Sequence, residues 1–286
     1  MGPRTDAAAA APPMAASEFE EIRRLAYKTF GLDLKPGKEQ LVAARLGRLM
    51  RTGAFRSYRQ LYRHTVEDAT GEALAAMIDA LATNHTAFLR EREHFSFLRE
   101  KVVPALRGRR DVEVWCAACS TGEEVWTLAC VLDEALPASR VHITATDISR
   151  KALAVAERGA YSAERCAALP AAWLSRYFTA ETASAAGYRV KPGMRAQATF
   201  SRLNLMQSFT WPRRFPVIFC RNAMIYFDAE TQARAAEKLA ASLEPGGYLF
   251  VGHAESLSRS SASLEYIQPA VYRKPAMHGG ACNRLS

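Results

Sequence analysis

In the first third of the chain, apolar positions recur at helical spacing. Phe19, Ile22, Leu25 and Ala26 share one face, with Ser17 and Glu20 spaced as a capping box and Gly31 as a stop. The same pattern predicts helices over 37–52, closed by Gly53, over 57–67 and over 72–81. From Val112 the texture changes. Short β-rich runs at 112–117, 142–148, 199–205, 217–220 and 248–252 alternate with helical stretches at 123–135, 149–157 and 229–243. That alternation predicts an α/β fold with a parallel sheet covered by helices on both faces. Glu244-Pro-Gly-Gly247 reads as a stop and a sharp turn into the next strand. Residues 161–198 are too long for an ordinary connection. They are read as an insertion holding a helix over 171–178 and a small antiparallel element over 188–200.

Composition adds bounds. A chain of 286 residues with 49% hydrophobic content buries a sizeable core. No apolar run reaches the length of a membrane span, so the protein is expected not to be membrane-embedded. Residues 1–16 are rich in Ala and Pro and lack the pattern of a secretory signal, so they read as a disordered tail, as does 276–286. The six cysteines lie largely within apolar runs, as in reduced cytoplasmic proteins. Cys116 and Cys119 form a C-x-x-C, a redox or half-zinc spacing, but no second pair follows at metal spacing, so no metal is expected. The net charge is +9, and eleven Lys/Arg between Arg23 and Arg63 face only Asp33 and Glu39. This local excess suits either an acidic partner or a solvated helix face.

Candidate chemistry gathers at the ends of the predicted strands. The first strand runs into Cys119-Ser-Thr-Gly-Glu-Glu124 and then a helix, the place where open parallel sheets bind nucleotide-like ligands. Dinucleotide folds carry several glycines there to bring backbone N–H groups to a pyrophosphate. This loop has only Gly122, followed by two carboxylates that would repel phosphate and suit a cationic adenosine compound, S-adenosylmethionine. Asp147, closing the second strand, is placed to accept from ribose hydroxyls. Asn204-Leu205 and Arg221-Asn-Ala-Met-Ile-Tyr226 follow later strands on the same rim. His85, His142 and His253 have no evident proton to move and read as structural.

Five ordered motifs now make the pattern specific: Thr83-Asn-His-Thr-Ala-Phe-Leu-Arg-Glu91, Ala118-Cys-Ser-Thr-Gly-Glu-Glu124, Ala145-Thr-Asp-Ile148, Phe219-Cys-Arg-Asn222 with Met224-Ile-Tyr-Phe227, and Gly252-His-Ala-Glu255. Together they resemble the chemotaxis receptor methyltransferases over residues 17–274. The resemblance implies an N-terminal all-helical domain over 17–85 that docks the receptor. It implies a class I, Rossmann-like methyltransferase domain over 86–275, with a small antiparallel β-subdomain inserted at about 161–200. It implies cofactor contacts from Asn84, Thr86, Arg90, Asp147, Asn204, Leu205, Arg221 and Asn222, and from one glutamate of the loop, either Glu123 or Glu124, with Glu124 preferred. It places Tyr226 near the transferred methyl and gives Arg90 and Tyr226 the catalytic roles. Arg45, Arg48 and Arg51, three residues apart on the second helix, match the family's basic helix that meets the acidic methylation region of the receptor. Pro216, Val125-Trp126 and Ala223 depart from the family's usual residues, at packing positions beside the site.

The implied reaction is a displacement in which a receptor glutamate carboxylate attacks the sulfonium methyl, leaving S-adenosylhomocysteine and a methyl ester. A free glutamate has a pKa of about 4.3, so this nucleophile arrives ionised and needs no general base. The expected protein is a cytoplasmic monomer whose partners are the cytoplasmic helices of methyl-accepting chemoreceptors. Two other readings compete. A nucleic-acid methyltransferase fits the basic charge, but the [DN]-P-P-[FYW] motif of base-nitrogen methylation is missing where Asn222-Ala-Met-Ile-Tyr226 stands, so no nucleic-acid partner is expected. A non-catalytic S-adenosylmethionine-binding scaffold is the other, opposed by the retained Arg90, Asp147, Arg221, Asn222 and Tyr226.

Overall fold

The computed structural model describes residues 12–181, 187–257 and 263–276. Most of the two expected tails lies outside these residues. The chain divides into two compact units between Thr83 and Asn84, two residues before the expected boundary.

The first unit is helical: α1 (Ala16–Phe30), α2 (Glu39–Thr52), α3 (Tyr58–Glu67) and α4 (Glu72–Leu81). Phe19, Ile22, Val42, Leu46, Met50, Tyr58, Leu61, Met77, Ile78 and Leu81 bury its apolar faces. The start of α1 differs from expectation. Ala15, not Ser17, holds the cap position, and Ser17 lies in the first turn. Glu18 decides this: one carboxylate oxygen accepts the Ala15 N–H at 3.0 Å, and the other accepts the Arg59 N–H at 2.9 Å at the start of α3. Gly31 ends the helix in the left-handed conformation, and Ser57 caps α3 by accepting from the Gln60 N–H.

The second unit is built on a seven-stranded sheet. Its strands are β1 (Asp111–Cys116), β2 (Arg140–Asp147), β6 (Ala198–Arg202), β7 (Phe215–Cys220), β8 (Leu243–Val251), β9 (Glu265–Gln268) and β10 (Val271–Arg273), in the order β6-β2-β1-β7-β8-β10-β9. The first five run parallel; β10 and β9 are antiparallel additions that the alternating pattern did not predict. The chain leaves β1 toward β2 and β6, then returns to β7 on the other side of β1. The crevice between β1 and β7 is therefore the topological switch point where open α/β sheets bind ligands.

Strand alternation sorts the core into two layers. Val114, Cys116, Phe219 and Phe250 pack with Leu128 of α7 (Glu123–Ala135) and Phe95 of α5 (Arg92–Phe97). α5 continues through a wider turn, Leu98–Val102, into α6 (Val103–Leu106). Trp115, Ile218, Leu249 and Val251 pack with Leu239 of α12 (Ala229–Ser242) on the other face. α8 (Arg150–Arg158) is capped by Ser149, which accepts the Ala152 N–H.

Two expectations are corrected here. The small antiparallel sheet is β3 (Ala160–Ser162), β5 (Gly187–Val190) and β4 (Phe178–Glu181) in that order, with α9 (Ala163–Cys166), α10 (Ala171–Tyr177) and α11 (Pro192–Arg195) around it. Residues 198–200 do not belong to it: β6 pairs parallel with β2 from Ile143↔Ala198 to Asp147↔Arg202. Nor does Glu244–Gly247 precede a strand as a free turn. Leu243 pairs with Phe215 and Tyr248 with Val217, so these four residues form a bulge inside β8, with Gly246 at φ +80°.

Candidate active site

The carboxyl ends of β1, β2 and β7 carry the predicted residues to one rim. The loop after β1 is shaped by Gly122, whose φ of +94° is strained for any side chain. A Cβ there would lie 2.7 Å from the Cβ of Ala156 and 2.8 Å from the Tyr161 hydroxyl. The one glycine of the loop thus lets α7 start against α8 and the insertion, whose Tyr161 hydroxyl donates to the Thr121 carbonyl at 2.7 Å.

Asp147 fixes this loop from β2. Its two oxygens accept the backbone N–H groups of Ser120 and Ser149, each at 2.8 Å, and its own carbonyl accepts from Leu203, next to Asn204. Asn204 folds its own turn by accepting the Met206 N–H at 2.9 Å, and the Gln207 N–H closes the turn onto the Asn204 carbonyl.

The two loop glutamates part company. Glu123 turns toward the insertion, where it pairs with Arg165 and accepts from the Thr121 hydroxyl. Glu124 turns toward β7. It pairs with Arg221 at 2.7 Å through one oxygen and accepts a weak bond from the Cys116 thiol through the other. Arg221 is the hub of the rim. Its side chain is 1% exposed, and it also donates to Glu91 at 2.9 and 3.2 Å and to the Arg90 carbonyl at 2.5 Å. Burial opposes the guanidinium charge, but Glu124 and Glu91 outweigh it and hold the pKa above its ordinary value. Burial likewise opposes the Glu91 charge, and Arg221 outweighs it, so that carboxyl stays below the usual range. Arg221 was expected to touch the cofactor; in the structure its side chain donates to two carboxylates and a carbonyl.

Backbone strain concentrates here. Leu89, Glu91, Ser120 and Asn222 all have positive φ, between 48° and 57°, a region non-glycine residues rarely adopt. Glu255 maintains the Asn222 turn. It is 2% exposed, and its carboxylate accepts four backbone N–H groups: Gly252 and Met224 at 2.6 Å, Asn222 at 2.9 Å and Ile225 at 3.1 Å. Burial pushes the Glu255 carboxyl above its ordinary range, against the four donors that favour its charge. Gly252 is required beside it, because a Cβ would fall 2.2 Å from the Asn222 side-chain nitrogen.

The remaining candidates are less tightly tied. Arg90 donates to the His85 carbonyl at 2.8 Å and keeps a side chain about a third exposed, at 32%. Leu205 is buried in the layer below. Asn84, Thr86 and Tyr226 are half-buried, and among the described residues no hydrogen bond joins them to the others. In the helical unit, Arg45 donates to the Leu81 carbonyl and the Thr83 hydroxyl, both at 2.7 Å, so it closes the end of α4. Arg48 and Arg51 are exposed. Glu91 and Glu255 received no role from the sequence although both lie in quoted motifs: Arg221 is 130 residues from Glu91, and besides the nearby Gly252 amide Glu255 takes three amides 30 to 33 residues away.

Metal and redox chemistry find little support in these residues. Cys116 and Cys119 are buried, and burial pushes both thiols well above the ordinary range. Glu91, His94 and His253 bring possible ligand atoms within 4.8 Å of one another, but Arg221 already holds that carboxylate and its charge opposes a second cation.

Sequence comparison agrees with this geometry. Residues 17–82 match the family model described as the CheR methyltransferase all-alpha domain, and residues 84–272 match the CheR methyltransferase S-adenosylmethionine-binding domain. The chain belongs to the CheR methyltransferase family. It is 36% identical to a chemotaxis protein methyltransferase of Borreliella burgdorferi, over 90% of this chain and 94% of that one. It is also 36% identical to chemotaxis protein methyltransferase 2 of Pseudomonas aeruginosa, over 89% of this chain and 92% of that one. The chemotaxis protein methyltransferase of Klebsiella aerogenes matches at 36% over 91% and 90%. This CheR-family chain is a methyltransferase of chemotaxis with S-adenosylmethionine as its cofactor. The residues present fit that group. Two acids, Glu123 and Glu124, stand in the first turn of α7 and Asp147 closes β2, an acceptor set that suits a cationic group and hydroxyls better than a pyrophosphate. Among the described residues, no helix is long and apolar enough to cross a membrane.

Proposed function

We propose that this methyltransferase esterifies glutamate side chains on the cytoplasmic helices of chemoreceptors, acting as a cytoplasmic monomer. The observation that carries the reading is the rim itself: Arg221 is neutralised between Glu91 and Glu124, and Asp147 closes β2 where it fixes the loop that precedes Glu124. Such a rim is acidic toward a cation and keeps its buried arginine away from an incoming anion. Arg90, with a part-exposed guanidinium, is then the cation that meets the anion.

Asp147 and Glu124 would hold the ribose hydroxyls and the ammonium of the cofactor, with Asn84, Thr86, Asn204, Leu205 and Asn222 lining the rest. Arg221 positions Glu124 and Glu91 for that task. Bound S-adenosylmethionine supplies an electrophilic methyl group on a sulfonium. Arg90 and Tyr226 orient the carboxylate and the methyl end, and exclusion of water strengthens both charges. His94 is unsuited to act as a base: it is 1% exposed, and burial and the Arg221 charge push its pKa down to about 3. A carboxylate nucleophile needs no base, because it is ionised at neutral pH. The helical domain over 17–85 presents exposed Arg48 and Arg51 to the acidic receptor, while Arg45 serves its own domain.

The test is methyl transfer from labelled cofactor to receptor-bearing membranes, followed by mild alkali. Volatile labelled methanol supports a carboxyl ester. Label that stays on the protein in alkali points to nitrogen methylation and contradicts the proposal.

A further inference from the structure

Lys238 lies on α12, in none of the quoted motifs and more than 30 residues from the turn after β6. Its ammonium nevertheless reaches the carbonyls of Leu205, Met206 and Gln207, at 3.0, 2.9 and 3.1 Å. An ammonium has three N–H donors, and here each meets a successive carbonyl of one turn. The ring of Phe209 lies 6.0 Å from the same nitrogen, within cation–π range. The turn it grips is the one that Asn204 folds with its side chain and Gln207 closes with its N–H. Three consecutive carbonyls pointing to one place repel one another, and a fixed cation removes that repulsion. Leu203, just before the turn, bonds to the carbonyl of Asp147, so a shift of the turn is passed to the strand end that bears the ribose-binding candidate.

We infer that Lys238 is a positioning residue for the cofactor: its ammonium holds the 204–207 turn in the shape that presents Asn204 and Leu205 to the adenosine end of S-adenosylmethionine. The inference rests on the proposed cofactor role of Asn204 and Leu205. Lys238 touches neither cofactor nor substrate. Its removal therefore weakens cofactor binding and leaves turnover at saturating cofactor unchanged.

The experiment compares wild type, Lys238→Met, Lys238→Arg and Asn204→Ala by calorimetric titration with S-adenosylmethionine, steady-state kinetics, and amide hydrogen exchange of the full chain. Lys238→Met keeps the aliphatic stem and loses every donor. It is expected to raise Kd and KM for the cofactor about tenfold, within the usual range for coupling between sites, with kcat held. Exchange is expected to quicken at 205–209 and not in the body of α12. Lys238→Arg, which restores donors, is expected to recover most of the affinity. Wild-type Kd in Lys238→Met alongside weakened binding in Asn204→Ala overturns the latch and spares the site. Wild-type Kd in both overturns the latch and the assignment of the turn. A fall in kcat, or faster exchange throughout α12, marks Lys238 as a general stabiliser and contradicts the inference.

Discussion

Arg221 and Glu124, 97 residues apart, form an ion pair of 2.7 Å with side chains 1% and 11% exposed. Two carboxylates share this one guanidinium, because Glu91 accepts from its Nε and Nη2 edge. Removing the arginine leaves two carboxylates facing each other with little water. Arg221→Met is expected to lower stability by about 3–5 kcal/mol, the cost of breaking a buried pair by deleting one partner. Lysine does not rescue it, since a single ammonium lacks the fork that spans both acids. Denaturant unfolding of the three proteins checks this; a loss under 1 kcal/mol (~1, the scale of a surface pair) would show the hub to be dispensable.

Gly122 and Gly37 separate backbone strain from crowding. Both have positive φ, +94° and +83°, but a Cβ on Gly122 collides with Ala156 and Tyr161, whereas one on Gly37 meets nothing within 4 Å. Gly37→Ala is expected to lose about 1 kcal/mol, the left-handed penalty alone. Gly122→Ala adds displacement of α8 and the insertion, and is expected to lose several-fold more stability together with cofactor affinity. Thermal unfolding and calorimetry give both quantities. Equal losses in the two variants would put the loop's shape down to dihedral preference only.

How far the sequence announces this architecture varies with the element. α4 and α7 match their expected bounds residue for residue: apolar residues recur at helical spacing in α4, and α7 opens on the two acids that follow Gly122. β3 has three residues and β10 three, too short to show a period, and their partners are set by long-range pairing. The same division holds at the site. The places of Asp147 and Glu124 were legible, one at the end of a strand and the other at the start of a helix. The Glu91–Arg221 pair, the four amides gathered by Glu255 and the carbonyls gripped by Lys238 were not, since each joins segments that only the fold brings together.

His94 makes stability depend on pH. Burial, then the Arg221 charge, push its pKa from 6.5 to about 3 in the folded protein. The unfolded chain thus binds a proton that the folded one refuses. The cost is absent above pH 6.5 and grows as pH falls toward 3, at up to about 1.4 kcal/mol per unit. His94→Gln carries no such proton. Unfolding free energies between pH 7 and about 4.5 are expected to fall more steeply for wild type than for the variant. Parallel curves would mean that His94 takes up its proton as readily in the folded state as in the unfolded one, and would contradict the account.

The helical domain offers a division of labour among neighbours. Arg48→Glu with Arg51→Glu is expected to cut receptor methylation about tenfold or more while leaving cofactor affinity at the wild-type value, as reversal of docking charges weakens association. Arg45→Glu instead loses two hydrogen bonds that close α4, and is expected to lower the stability of the domain by about 1–3 kcal/mol. Kinetics with receptor membranes and calorimetry separate the cases. Lost cofactor binding in the double variant would contradict the assignment.

The account turns on where the methyl group ends up. A soluble receptor cytoplasmic fragment, incubated with this protein and cofactor, can be digested and each modified residue located by tandem mass spectrometry, with and without alkali. The expected result is one added methyl on glutamate side chains, lost in alkali, and missing when Arg90→Ala replaces the wild-type enzyme. Methyl groups on lysine, arginine or added RNA, or unchanged turnover in Arg90→Ala, would contradict it.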